Sequence, residues 1–364
     1  MKTESKVVSD VNALQNILFT ELDSTLNRAR AKVLAFLVIS LCKVQHVGLF
    51  KLANAFDSKA KSASSMRRIQ RFLKEVTLDF DKLACFIFKL LPFKGPYVLS
   101  MDRTNWQFAG LNINALFIGI CYNGVAFPLL FTLLDKRGNS NTSERIAIME
   151  RYIRLFGRES IACLLADREF VGKEWLEYLN SSSIQYHIRI KENFDVTRHG
   201  RTIKAWAMFG GIRMYQRVFC KEVYIVNGEH CYLSASKVKN KVGKPELEVI
   251  VSYFNPEQAL DRYGLRWQIE TCFKAMKSSG FNIEDTHLVH LDRIEKLFGV
   301  MMIAYTWAYL VGDHEDKHHC RIRTKTHGRK EKSIVKYGLD LIARYLNNSL
   351  CVTNFDYLKK LSCT

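Results

Sequence analysis

Tyr97-Val98-Leu99-Ser100-Met101-Asp102 is a short apolar run that ends on a carboxylate, and the order of elements following it decides the fold. At Pro96, just before it, the pattern turns from helical to strand-forming. Residues 113–121 and 125–134 flank Tyr122-Asn123-Gly124, and Asn-Gly between two apolar runs predicts a β-hairpin. An amphipathic helix is expected over about 143–156, capped near Asn141 or Thr142 and closed by Gly157. Ile161-Ala162-Cys163-Leu164-Leu165-Ala166-Asp167 reads as a buried strand that again ends on a carboxylate. A helix around 173–179 and a strand around 184–191 complete the order β-β-β-α-β-α-β.

That is the order of the ribonuclease-H-like fold. In it the first strand pairs with the hairpin on one side and with the fourth strand on the other. Asp102 and Asp167 then lie side by side at neighbouring strand ends. Each aspartate alone is weak evidence, because carboxylates often end strands before turns. The flanks Asp102-Arg103-Thr104 and Asp167-Arg168-Glu169-Phe170 add polar groups at the same edge.

A third carboxylate comes from Tyr263-x2-Arg266-x3-Glu270-x6-Lys277. On a straight helix of 3.6 residues per turn, these four fall within a stripe about 60° wide. Asn255 is placed as its N-cap, Pro256 suits the first turn, and Gln258 completes a capping-box-like pattern. Gly280 is the expected stop, Gly264 a weak spot, and Leu265, Ile269, Phe273 and Met276 a separate apolar face. A salt-bridged solvent face would look similar to the polar stripe. With Asp102 and Asp167, however, Glu270 completes an all-oxygen set of the kind Mg²⁺ or Mn²⁺ prefers, two ions being held jointly with substrate phosphate. Clustered carboxylates without a metal repel one another, a cost that a purely structural site has no reason to carry.

Composition narrows the partner. The chain has 364 residues, a formal charge of +18 and 48% hydrophobic residues, which suits one large or two moderate domains binding a polyanion, ordinarily nucleic acid. A membrane partner is not expected: the apolar stretches 33–42 and 297–311 are shorter than a bilayer span and read as buried helices. The N-terminus lacks the apolar core of a secretory leader, and a cytoplasmic, nucleoid-associated location is expected. Ten cysteines with no C-x2-C pair read mostly as free core thiols. The tract His314-x3-His318-His319-Cys320 has soft-metal ligands, although a solvated basic tail is the simpler reading. Residues 1–95 read as helical. Within them Ser64 or Ser65 is placed as the cap of a short helix exposing Arg67, Arg68, Gln70, Arg71 and Lys74, with Ile69, Phe72 and Leu73 inward. Such a helix suits a DNA groove, and a solvated basic face is the alternative.

On these motifs the chain resembles the bacterial insertion-sequence DDE transposases of the family-four type, the group marked by a Y-R-E-K signature. The resemblance covers nearly the whole chain: a helical DNA-binding region at 1–95, an α/β catalytic domain at 96–312 with a β-rich insertion at about 194–252, and a basic and helical region at 313–364. It implies that Asp102, Asp167 and Glu270 are catalytic and bind two Mg²⁺ or Mn²⁺ ions, while Tyr263, Arg266 and Lys277 contact transposon-end DNA. It further implies binding of terminal inverted repeats in double-stranded DNA, 3′-hydroxyl strand transfer in cut-and-paste transposition, and a homodimer in the DNA complex. Several relatives form a hairpin with a flipped base stacked on tryptophan, for which Trp267, Trp106 and Trp206 are candidates and a half-buried core role the alternative. A ribonuclease-H-like nuclease or resolvase without strand transfer is the rival reading. A non-catalytic DNA-binding inhibitor is a second.

Overall fold

Five helices precede the sheet: α1 (Lys2–Glu21), α2 (Arg28–Val44), α3 (Leu49–Asn54), α4 (Ser62–Glu75) and α5 (Phe80–Lys89). The computed structural model describes residues 2–22, 26–56, 58, 60–240, 242–326, 328–347 and 357–362. Side-chain caps start two of these helices. Asn27 accepts from the Arg30 N–H before α2, and Asp79 accepts from the N–H groups of Asp81 and Lys82 before α5. In α4 Ile69, Phe72 and Leu73 are buried, as the spacing predicts. Its N-cap is Lys61, without a side-chain cap, and not Ser64 or Ser65; Ser65 is buried.

The catalytic core is a mixed α/β structure of ribonuclease-H-like order with insertions. It runs β1 (Tyr97–Phe108), β2 (Leu111–Tyr122), β3 (Val125–Leu133), α6 (Thr142–Phe156), β4 (Ile161–Ala166), α7 (Lys173–Ser181) and β5 (Tyr186–Ile190). The hairpin turn is Asn123-Gly124, both at positive φ (46° and 82°), the left-handed pair a tight turn requires. Asn141 caps α6 with a full capping box through Glu144, worth about 1 kcal/mol, and Gly157 ends the helix. β1 pairs with β2 on one side and, in parallel, with β4 on the other, with Met101 opposite Ala166. Asp102 and Asp167 are the next residues on each strand. β1 does not stop at Asp102 but continues to Phe108.

The insertion holds β6 (Asp195–Arg198), β7 (Arg201–Lys204), α8 (Ala205–Met208), β8 (Arg217–Phe219), β9 (Tyr224–Val226), β10 (Glu229–Lys239) and β11 (Pro245–Ser252). Its last strand is integral to the sheet, since β11 pairs antiparallel with β5. The strand order is β3-β2-β1-β4-β5-β11-β10-β9-β6-β7, with β8 on β10. The β6–β7 hairpin and α8 carry no apolar run that marks them in the sequence.

Among the described residues the α-helices that follow are α9 (Pro256–Gly264), α10 (Trp267–Lys274), α11 (Leu291–His318) and α12 (Ile334–Asn347). α11 is longer than its apolar run suggested, and by length and composition it is able to cross a bilayer. It is instead a core helix, because 89% of its most apolar stretch is buried inside the protein. Gly312 of α11 and Gly338 of α12 let the two backbones meet: a Cβ on Gly338 would collide with the Ala308 carbonyl, and one on Gly312 with that of Ile334. The chain divides into two compact units. One holds Met1–Phe93, Asn105–Ile113 and Cys272–Thr364; the other holds Lys94–Thr104 and Asn114–Thr271.

Five of the described cysteines (Cys42, Cys121, Cys163, Cys231 and Cys272) are free and buried, while Cys320 is exposed. Cys351 and Cys363 lie outside the described residues.

Candidate active site

Asp102, Asp167, Glu270, Tyr263 and Arg266 all belong to the unit built around the sheet. The parallel register of β1 and β4 places the two aspartates. Each then turns a carboxylate oxygen back onto the following backbone N–H: Asp102 Oδ1 accepts from Arg103 and Asp167 Oδ1 from Arg168, both at 2.7 Å. The third carboxylate is joined to the first by one guanidinium. Arg266 donates from Nη1 to Asp102 Oδ2 at 3.0 Å and from Nη2 to Glu270 Oε1 at 2.6 Å. Tyr263 donates its hydroxyl to Asp167 Oδ1 at 3.3 Å, and the Arg266 guanidinium lies 5.6 Å from the centre of the Tyr263 ring. The three carboxylates are thus tied together by the two other residues of their own motif.

The helix carrying that motif differs from the single straight rod read from its spacing. It is broken after Gly264: α9 ends there, Arg266 sits in the break, and α10 starts at Trp267. Beyond Lys274 the chain winds into a π turn, Ala275–Ser279, before Gly280. Tyr263, Arg266 with Glu270, and Lys277 therefore occupy successive segments and not one 3.6-residue stripe. Asn255 is at the N-cap position but in a left-handed conformation, and its side chain makes no cap hydrogen bond. Leu265, expected on the apolar face, is 37% exposed because it lies in the break, whereas Ile269, Phe273 and Met276 are buried. Tyr263 is buried against Ile250, Ala259 and Leu260.

Burial governs the electrostatics. The Asp102 carboxyl is pushed up to about 7, chiefly by burial and secondarily by Glu169 and Asp167, against the opposing pull of Arg266 and the Arg103 N–H. Burial works against the charge of Arg266, yet Tyr263, Asp102 and Asp167 hold the guanidinium well above its ordinary value. Glu248 of β11 is also raised, by burial first and by its neighbours Glu246 and Asp167.

Several residues around the site have no motif to reveal them. Arg103 forks onto Glu169 with two 3.2 Å bonds, and also donates to Asn114 at 3.0 Å and Asn139 at 3.1 Å. Arg145, buried in α6, donates to the Ser140 and Glu169 carbonyls, which locks the turn after Asp167. Arg189 pairs with Glu246 at 2.5 Å. Only the positions of Arg103 and Glu169, beside the aspartates, hinted at a role.

Lys277 belongs to the other unit, as does α4. Its ammonium donates to the Asn105 carbonyl at 2.8 Å, pairs with Glu284 at 3.0 Å and lies 5.8 Å from the Trp106 ring centre. Trp106 is buried edge-on to Phe298, so it is a core residue, whereas Trp267 and Trp206 are 52% and 54% exposed. On α4, Arg67, Gln70, Arg71 and Lys74 are exposed, and Arg68 is half-buried with its guanidinium 5.5 Å from the Phe36 ring centre.

Two groups of residues carry side chains of metal-ligand type. Asp102, Asp167 and Glu270 offer hard oxygen atoms of the type Mg²⁺ takes, with one guanidinium bridging Asp102 and Glu270. His314, Glu315 and His319, in the other unit, offer ligand atoms all within 4.8 Å of one another.

No curated protein matches the chain. One solved structure similar to it is the piggyBac transposase in a synaptic complex with hairpin DNA, at 13% identity and a TM-score of 0.46, covering 99% of this chain and 79% of that one. The family model for the transposase DDE domain matches residues 94–307, more than half of the chain and a span that includes all three carboxylates. The chain belongs to the transposase DDE domain family.

Proposed function

We propose that the protein is the transposase of a bacterial insertion sequence of the family-four type. It binds the terminal inverted repeats of its element in double-stranded DNA, cleaves at the element's end, and transfers the exposed 3′-hydroxyl into target DNA. The observation that carries this reading is the linking of Asp102 and Glu270 by Arg266 and of Asp167 to Tyr263, on or next to strands of ribonuclease-H-like order and on the helix beyond them. Asp102, Asp167 and Glu270 are the residues that would hold two Mg²⁺ or Mn²⁺ ions, which when bound activate the attacking hydroxyl and stabilise the departing oxygen. Arg266 would offer its guanidinium fork to a phosphate, the geometry guanidinium matches best, if the two carboxylates it bridges turned to metal. Tyr263 supplies a hydroxyl donor beside Asp167, and Lys277 a point charge for the DNA backbone. Trp267, half exposed next to Arg266, is the candidate for base stacking. Arg67, Arg68, Gln70, Arg71 and Lys74 supply backbone or groove contacts from α4. A homodimer on paired ends, in a prokaryotic cytoplasm, completes the proposal.

The test is incubation of the full chain with Mg²⁺ or Mn²⁺ and DNA carrying the inverted repeats that flank its gene. Cleavage with joined product supports the proposal. Cleavage alone identifies a nuclease, and a mobility shift without cleavage a binding protein. Asp102→Asn, Asp167→Asn and Glu270→Gln are each expected to lower cleavage by at least about a hundredfold, since each removes a ligand or a charge from the metal set.

A further inference from the structure

The end of α11 holds a second ligand cluster. His314 and Glu315 are adjacent in the last turns, and His319 is the C-cap, where the chain leaves the helix at φ −128° and ψ −74°. His319 is four positions after Glu315, the spacing that puts two side chains on one helix face, and five after His314. Glu315 is 6% exposed, and its Oε1 is buried without a hydrogen-bond partner among the described residues. The carboxylates on either side are satisfied: Asp313 accepts from Lys317 and Tyr309, and Asp316 accepts from the Ile322 N–H and from Lys330. Leaving a buried acceptor unmade costs about 1–3 kcal/mol, and more for a charged one. The nearest basic atom, His319 Nε2, is 4.0 Å away, too far for a hydrogen bond. That gap leaves room for an ion between the two. With metal–nitrogen and metal–oxygen bonds of about 2.1 Å at a tetrahedral angle, the ligand atoms stand roughly 3.4 Å apart, a small side-chain rotation from the observed distance.

We propose that His314, Glu315 and His319 form a structural site for a zinc-class divalent ion. Two imidazoles and one carboxylate suit zinc, whereas magnesium takes oxygen ligands and keeps its water. A fourth position is open to water or to His318, whose ring centre is 4.7 Å from that of His314 at the i, i+4 helical spacing. The ion would pin the start of the connection to α12. The backbone already supports this anchor: the Cys320 N–H donates to the Glu315 carbonyl, and the Tyr337 hydroxyl to the Cys320 carbonyl. The site lies in a different unit from the three carboxylates and does not depend on the transposition reading.

Cobalt is the probe. The full chain, stripped of metal, is titrated with Co²⁺ while visible absorption is followed, and then with Zn²⁺ or millimolar Mg²⁺. Wild type is expected to show ligand-field bands saturating at one equivalent, removed by Zn²⁺ and unaffected by Mg²⁺. The His314→Gln/His319→Gln double variant is expected to lose the bands, and Asp102→Asn/Glu270→Gln to keep them. Should the double variant fail to fold by circular dichroism, the near-isosteric Glu315→Gln is read in its place, with at least about a tenfold loss of affinity expected. Bands that persist in the histidine or glutamate variants, vanish in the carboxylate variant, yield to Mg²⁺, or never form in the wild type overturn the proposal.

Discussion

Arg266 occupies the position that decides how the carboxylate cluster exists without metal. Its guanidinium bridges Asp102 and Glu270 while itself largely buried, so it neutralises two like charges that would otherwise repel. Replacing it by methionine is expected to destabilise the metal-free protein by about 3 kcal/mol, the usual cost of breaking a mostly buried pair. The same change frees the two carboxylates that the proposed function assigns to metal. Mn²⁺ is therefore expected to raise the melting temperature of Arg266→Met more than that of wild type; an equal rise would contradict the bridging role. A second outcome concerns pH. Because burial holds the folded Asp102 carboxyl at about 7, above its unfolded value of about 4, its contribution to stability is complete below pH ~4 and is lost as pH rises through ~7. Metal binding has the opposite dependence, since the ion displaces that proton. Mn²⁺ affinity measured by calorimetry should rise by about tenfold per pH unit from ~5 to ~7 and then level off. A flat profile would place the ionisation elsewhere.

Elements carry the next set of consequences. The close crossing of α11 and α12 depends on Gly312 and Gly338, where each added methyl would meet a backbone carbonyl that has no room to yield. Gly338→Ala is expected to cost about 3 kcal/mol or more, visible as a lowered urea midpoint, because the two helices must move apart and give up packing between them. Helix α4 makes a different prediction, one about binding. Arg67, Arg71 and Lys74 are exposed and make no ion pair among the described residues, so charge removal there leaves the fold intact. Each alanine change is expected to lower the slope of log affinity against log salt for end DNA by about 1 if that residue meets a phosphate. Arg68 is distinct, since its guanidinium sits near the Phe36 ring; Arg68→Ala should also lose roughly 0.5–1 kcal/mol of stability. Unchanged salt slopes in all four variants would remove α4 from the DNA interface.

For the molecule as a whole, charge and topology act at different ranges. A net charge of +18 supplies attraction to any DNA, which salt screens, whereas on the proposed function chemistry at a chosen phosphate would need the three carboxylates held in place. Raising salt should therefore weaken binding of unrelated and of terminal-repeat DNA alike, while cleavage stays confined to the repeats. Sedimentation of the repeat complex should show two chains, and a single chain per DNA would argue against paired-end assembly.

Local pattern determined much of this protein. The Asn123-Gly124 hairpin, the capped α6, the β-β-β-α-β-α-β order and the side-by-side aspartates were legible because turn chemistry and apolar periodicity act over a few residues. Glu270 was legible as the third carboxylate through its spacing from Tyr263 and Arg266. Gly264, the expected weak spot, is where the helix breaks; the spacing did not reveal how far it breaks or the π turn at Ala275–Ser279, which depend on what each segment packs against. Nor could it show that Arg266 reaches back 164 residues to Asp102, or that Arg145 and Arg103 brace the turn after Asp167. Such contacts join positions far apart along the chain, and they exist only once the sheet has set β1, β4 and the helix beyond β11 into register. The spacing from Tyr263 to Lys277 pointed to Glu270, and the folded strands decided which atoms meet.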